Sequence, residues 1–139
     1  MGQIVVGYDG SDCGKVALDE ALKLAKGLGD GVALVFGYAP PGIWGGEIAE
    51  HEEAIEEFGE KVMGEAKQRA AAAGVAAEVE LVPKRGAEAL IAVADQRDAR
   101  AIVVGSYGEA GLKGMILGST PHKLLHLSRR PVLVVPANG

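Results

Sequence analysis

Apolar, β-branched runs alternate with helix-periodic stretches along the whole chain, and this alternation limits the fold more than any other feature. Ile4-Val5-Val6 opens a first strand. Ser11 or Asp12 can cap the next segment, where Ala17, Leu18, Ala21, Leu22 and Ala25 recur at helical spacing. Gly27 and Gly29 end it. Val32 to Tyr38 is a second strand, and Pro40-Pro41-Gly42 then begins a loop that runs through Gly46. A long helix is predicted from about Glu47 to Ala73, with Ile48, Ile55, Phe58, Val62 and Ala66 as its inward stripe and Gly74 as its stop. Its front is rich in Glu and its rear carries Lys61, Lys67 and Arg69, a polarity that suits the helix dipole.

From Val75 to Val82, Ala77, Val79 and Leu81 alternate with Glu78 and Glu80, as on a sheet edge with one wet face. A third helix covers about Ala87 to Arg97, and Ala101 to Val104 is short and wholly apolar, which suits a sheet centre. Thr120 can cap a fourth helix with Pro121 as its first residue, and Val132 to Val135 is the last strand. The pattern is β-α-β-α-β-α-β-α-β. It predicts an α/β fold: a five-stranded parallel sheet, Rossmann-like, with helices on both faces, in one domain over residues 1–139. Ligands of such sheets bind beyond the carboxyl ends of the strands, where the strand order reverses. Asp9-Gly10-Ser11 after the first strand and Gly105-Ser106 after the fourth are the natural walls of that crevice.

Composition removes several functions. The net charge is −5 and 4% of residues are aromatic, so neither a basic stripe nor a stacking platform for nucleic acid is expected. No apolar run approaches bilayer length, so no membrane partner is expected. The amino terminus lacks a basic region before its apolar run, and one cysteine excludes an internal disulfide; both point to the cytoplasm.

The fourth strand leads into Gly105-Ser106-Tyr107-Gly108, and nine residues later comes Gly118-Ser119-Thr120-Pro121. Glycines that admit close backbone approach, followed by hydroxyls at a helix start, suit an anion. A Walker A loop is excluded, since Gly10 to Gly14-Lys15 encloses three residues and Val16 follows the lysine. A dinucleotide fingerprint is excluded, since Gly7-Tyr8-Asp9-Gly10 follows the first strand. Gly-x2-Gly-x9-Gly-(Ser/Thr) fits at every spacing through Gly105, Gly108, Gly118 and Ser119.

That spacing resembles the nucleotide-binding branch of the universal stress protein family. Val5 to Ser11 looks like the family's opening strand and Asp-Gly-Ser turn, Ala101 to Ser106 like its fourth strand, and Pro131 to Val135 like its closing strand. The resemblance covers nearly the whole chain. It implies a flavodoxin-like sheet of order 3-2-1-4-5 that binds ATP. Asp9, in the turn with Gly10 and Ser11, would approach the ribose, and backbone near Gly37 would read the adenine. The amides at Gly105, Ser106, Gly108 and Gly118 and the hydroxyls of Ser119 and Thr120 would hold phosphates. The family usually has a larger apolar residue at the position of Gly37, and Pro121 removes one amide at the helix start. Lys113 could add a charge.

No general base or arginine finger is legible near the loop, so at most slow ATP hydrolysis is expected, with Mg²⁺ bridging phosphates. AMP, ADP and cyclic AMP stay open as ligands, because the adenosine half of the site serves them equally. The rival readings are a protein-interaction module that binds no nucleotide and a true ATPase. The apolar last strand, Val132, Leu133, Val134 and Val135, predicts a homodimer through that edge, as the resemblance also implies. Cys13 reads as a small packed residue and Trp44 as a lid or a packing residue. His122 and His126, four apart, could share a metal, and His122 at the helix start could touch a phosphate, but with no Cys or carboxylate near them in sequence the pair reads as two ordinary helix residues.

Overall fold

A computed structural model of the chain describes residues 2–38, 47–106 and 119–136. Its elements are β1 (Gln3–Gly7), α1 (Asp12–Leu28), β2 (Gly31–Gly37), α2 (Glu47–Ala72), β3 (Ala77–Val82), α3 (Gly86–Arg97), β4 (Ala101–Gly105), α4 (Ser119–Leu127) and β5 (Val132–Val135). The five strands form one sheet in the order β3-β2-β1-β4-β5, and every pairing is parallel. The expected order 3-2-1-4-5 is therefore the order found.

Strand alternation splits the apolar residues into two cores. Ile4 and Val6 of β1, with Val32 and Leu34 of β2, pack under α1 and α2 against Leu18, Leu22, Met63 and Ala66. Val5 of β1, with Ile102 and Val104 of β4, packs on the opposite face against Leu90 and Val93 of α3 and Leu124 of α4. The central strands have both faces covered, which is why they read as continuous apolar runs. The edge strand β3 has no fully buried residue, as its Glu alternation predicts. Arg97 reaches across to it, 2.9 Å from Glu78 and 3.4 Å from Glu80.

Three local expectations are corrected. Gly27 lies inside α1; of the two expected stops only Gly29, two residues further on, ends the helix, with a φ of 71° that favours glycine. The inward stripe of α2 is not centred on Phe58, which is largely exposed and rests on Phe36 at 5.3 Å between ring centres. Met63, Ala66 and Ala70 carry the burial, with Val62 half-buried beside them; the side chains of Ile48 and Ile55 lie outside the described residues. Thr120 does not cap α4 but lies in its first turn, with Pro121 buried behind it.

The amino ends of β1, β2 and β4 are tied by one buried carboxylate. Asp30 receives Arg100 Nε at 2.6 Å and Nη2 at 3.2 Å, and the amide of Gly2 at 3.0 Å. The Arg100 hydrogen bond holds the Asp30 carboxyl below the usual carboxylate range. A depressed carboxyl contributes stability above its unfolded pKa of about 3.9 and loses it as pH falls through the lower folded value. Asp30→Asn is therefore expected to be less stable than the parent at neutral pH. Unfolding curves taken from pH 7 to pH 2 should show that gap closing below about pH 4.

Candidate functional site

The strand order reverses between β1 and β4. The chain leaves β1 for α1 on one face of the sheet and leaves β4 toward α4 on the other. In sheets of this kind ligands bind beyond the carboxyl ends of the two strands at that reversal.

Asp9, Gly10 and Ser11 form one wall. The Asp9 carboxylate accepts from the Ser11 amide at 2.9 Å and from the Ser11 hydroxyl. Ser11 Oγ in turn accepts from the Gly14 amide at 3.1 Å, which makes Ser11 the N-cap of α1. Asp9 thus braces the cap residue that starts the helix, and its position at the mouth of β1 is fixed by the same bonds. Gly10 has a φ of 82°, and a Cβ there would come within 3.3 Å of Val62 on α2. The turn is pressed between its own strand and α2.

Gly105 and Ser106 form the facing wall. A Cβ on Gly105 would fall 2.9 Å from the carbonyl oxygen of Cys13 and 3.2 Å from its Cβ. Glycine is required here so that β4 can meet the first turn of α1. The Ser106 amide donates to Val135 O at 3.0 Å. Its hydroxyl is buried and has no hydrogen-bond partner among the described residues. Leaving such a group unmet costs about 1–3 kcal/mol unless something else bonds it.

Gly37 ends β2. A Cβ on it would lie 2.7 Å from the carbonyl oxygen of Lys84 and 2.8 Å from Ala89 Cβ. The start of α3 is therefore laid directly on the end of β2. The space a side chain at Gly37 would need is filled from α3 and the residues that lead into it. A Cβ on Gly86, the first residue of α3, would meet Thr120 Oγ1 at 2.6 Å. Thr120 thus sits against α3, and the amino ends of α3 and α4 adjoin over the carboxyl edge of the sheet.

Sequence reasoning missed Tyr8. Its ring is buried between β1, α1 and α2, its hydroxyl has no partner among the described residues, and burial pushes its phenol pKa up. The only sequence signal was a phenol one position before Asp9. Cys13 is half-buried beside Gly105. Gly108, Gly118, Lys113 and Trp44 lie outside the described residues, as does the side chain of Ser119. The structure thus brings Asp9, Gly10, Ser11, Gly37, Gly105, Ser106 and Thr120 to one edge of the sheet. Among the described residues there is no cluster of three metal-ligating side chains. No helix among them is long and apolar enough to cross a membrane.

Known proteins share this architecture. The sequence model of the Universal stress protein family matches residues 1–136. Universal stress protein YxiE of Bacillus subtilis is 33% identical over 148 aligned residues, spanning 96% of this chain and 97% of its own. Among solved structures, protein MJ0577 superposes with a TM-score of 0.89 at 23% identity, covering 99% of this chain and 97% of its own. A universal stress protein in complex with cAMP superposes at 0.74 with 30% identity, covering 99% and 98%. One from Archaeoglobus fulgidus in complex with dAMP superposes at 0.72 with 22% identity, covering 97% and 98%.

Proposed function

The chain belongs to the universal stress protein family, and from that premise we propose that its β1/β4 crevice binds an adenine nucleotide, ATP first, in a cytoplasmic stress-response or regulatory role. The observation that carries this reading is the buried Ser106 hydroxyl. It sits beside Gly105 at the mouth of β4 with no partner among the described residues, where a ligand would supply one. In this reading Asp9 accepts from the ribose hydroxyls, because a carboxylate oxygen is an acceptor suited to a diol. Backbone at Gly37 meets the adenine. The amides of Gly105, Gly108 and Gly118, with Ser106, Ser119 and Thr120, meet the phosphates, assisted by the positive end of α4. Mg²⁺ would accompany the phosphates. Hydrolysis is expected to be at most slow, because no general base or arginine finger is legible in the sequence near the loop.

A second reading, that the physiological ligand is AMP or cyclic AMP, is favoured by the cAMP and dAMP complexes of two structural neighbours. Self-association completes the proposal. β5 lies at the sheet edge with Leu133 exposed, and an unpaired apolar edge favours pairing with a second copy.

Asp9→Asn tests the ribose contact. A lost hydrogen bond to a charged group is worth about 1.5–3 kcal/mol, so ATP affinity should fall at least about 10-fold in calorimetric titration. The weakened cap costs folding about 1 kcal/mol, which a denaturant curve reads separately. An unchanged ATP affinity in a folded Asp9→Asn protein would remove Asp9 from the site.

A further inference from the structure

His122 and His126 lie one helical turn apart on α4, and both are exposed. Their ring centres are 4.8 Å apart with planes inclined at 69°. Residues at i and i+4 share a helix face, so this pairing is built into the backbone spacing. Neither ring forms a hydrogen bond or an ion pair with another described residue, so their nitrogens are uncommitted within the described fold. Lys123, between them in sequence, points from a different face, as adjacent helix positions do.

Two imidazoles bound to one ion through nitrogens at about 2.0–2.1 Å have ring centres roughly 4.5–5.2 Å apart, for N–metal–N angles of about 90–110°. The observed separation falls inside that range. The rings need only turn about their side-chain bonds to aim two lone pairs at a common point. The sequence alone shows the spacing but not this approach, which is why the pair reads there as ordinary.

We propose that His122 and His126 form a two-histidine chelate for a late first-row divalent cation of the Zn²⁺, Ni²⁺ or Cu²⁺ class. Neutral imidazole nitrogen suits these ions, whereas Mg²⁺ and Ca²⁺ prefer oxygen. No group of three potential ligands exists among the described residues. The pair supplies two ligands, and the described residues leave the remaining positions to water or to a ligand from elsewhere. The site is separate from the Mg²⁺ expected with nucleotide phosphates, which would be held by phosphate oxygens rather than imidazole.

Calorimetric titration of ZnCl₂ into the full chain, free of nucleotide, tests the site. The parent should bind one Zn²⁺ saturably. His122→Asn and His126→Asn should each weaken that binding at least about 10-fold, because losing one arm of a chelate removes its mutual support. His51→Asn and Cys13→Ser should leave it unchanged. Zn²⁺ should also raise the melting temperature of the parent and of the His51 and Cys13 variants, but not of the two α4 variants. Absence of saturable binding in the parent overturns the proposal. So does a mere twofold loss in each α4 variant, the mark of independent histidines, or a loss caused by the His51 or Cys13 change.

Discussion

Gly105→Val should cost the fold about 2–3 kcal/mol, the upper part of the usual range for forcing atoms into a packed site. The reason is steric and backbone-borne. A Cβ at this position would fall 2.9 Å from the carbonyl oxygen of Cys13 and 3.1 Å from its carbon. Those atoms belong to the first turn of α1, whose cap is fixed by Ser11 and Asp9, so they cannot step aside without breaking the cap. The γ carbons of valine add to the overlap. Urea unfolding is the measurement, with the shift read in the midpoint at constant slope. A midpoint equal to the parent's would mean that β4 and α1 do not meet as described. Because Gly105 is also the first glycine of the proposed phosphate loop, the same change should weaken ATP binding. The stability loss is expected whether or not nucleotide is present.

Gly37→Val is the second large effect, again about 2–3 kcal/mol. Here the added Cβ meets Lys84 O at 2.7 Å and Ala89 Cβ at 2.8 Å, with the Gly86 amide at 3.4 Å. Valine is β-branched and apolar, a residue type that suits a buried strand, so strand propensity alone would rate the change harmless. The start of α3 says otherwise, since it occupies the space a side chain would need. Denaturant midpoints of Gly37→Ala and Gly37→Val should fall in that order, each below the parent. A neutral Gly37→Val would show that α3 can move away from β2, and the close packing of α3 on the end of β2 would be wrong.

These two glycines show where sequence reasoning stops. Gly105 was legible as a place of close approach with a ligand as the thing approached, and Gly37 entered only through the resemblance, as backbone that would read the adenine. The structure adds protein backbone on the other side of each. Close approach to a nucleotide and close approach to a helix demand the same absent Cβ, so one-dimensional reading does not separate them. The strands were legible because buried parallel strands read as apolar runs and the edge strand β3 reads as alternation, whereas their order came from the resemblance to the family. The face of α2 was not, because a helix of 26 residues admits several registers of an apolar stripe. Phe58 is large enough to suggest burial, yet it covers Phe36 from outside, while small Ala66 and Ala70 sit in the core. Asp9 was legible by its place after β1, but its bracing of Ser11 depends on a turn geometry that the sequence does not display. Tyr8 was missed because nothing in a lone phenol announces an unmet hydroxyl. Gly108 and Gly118, the remaining glycines of the motif, lie outside the described residues.

The central claim is that this motif closes a nucleotide site. The most direct test is calorimetric titration of Mg-ATP into nucleotide-free parent protein and into Gly118→Val. The account predicts saturable binding, one ATP per chain, in the parent, and a loss of about 100-fold or more in the variant, equivalent to at least about 2.7 kcal/mol. Absence of ATP binding in the parent, or equal affinity in the two proteins, would contradict it.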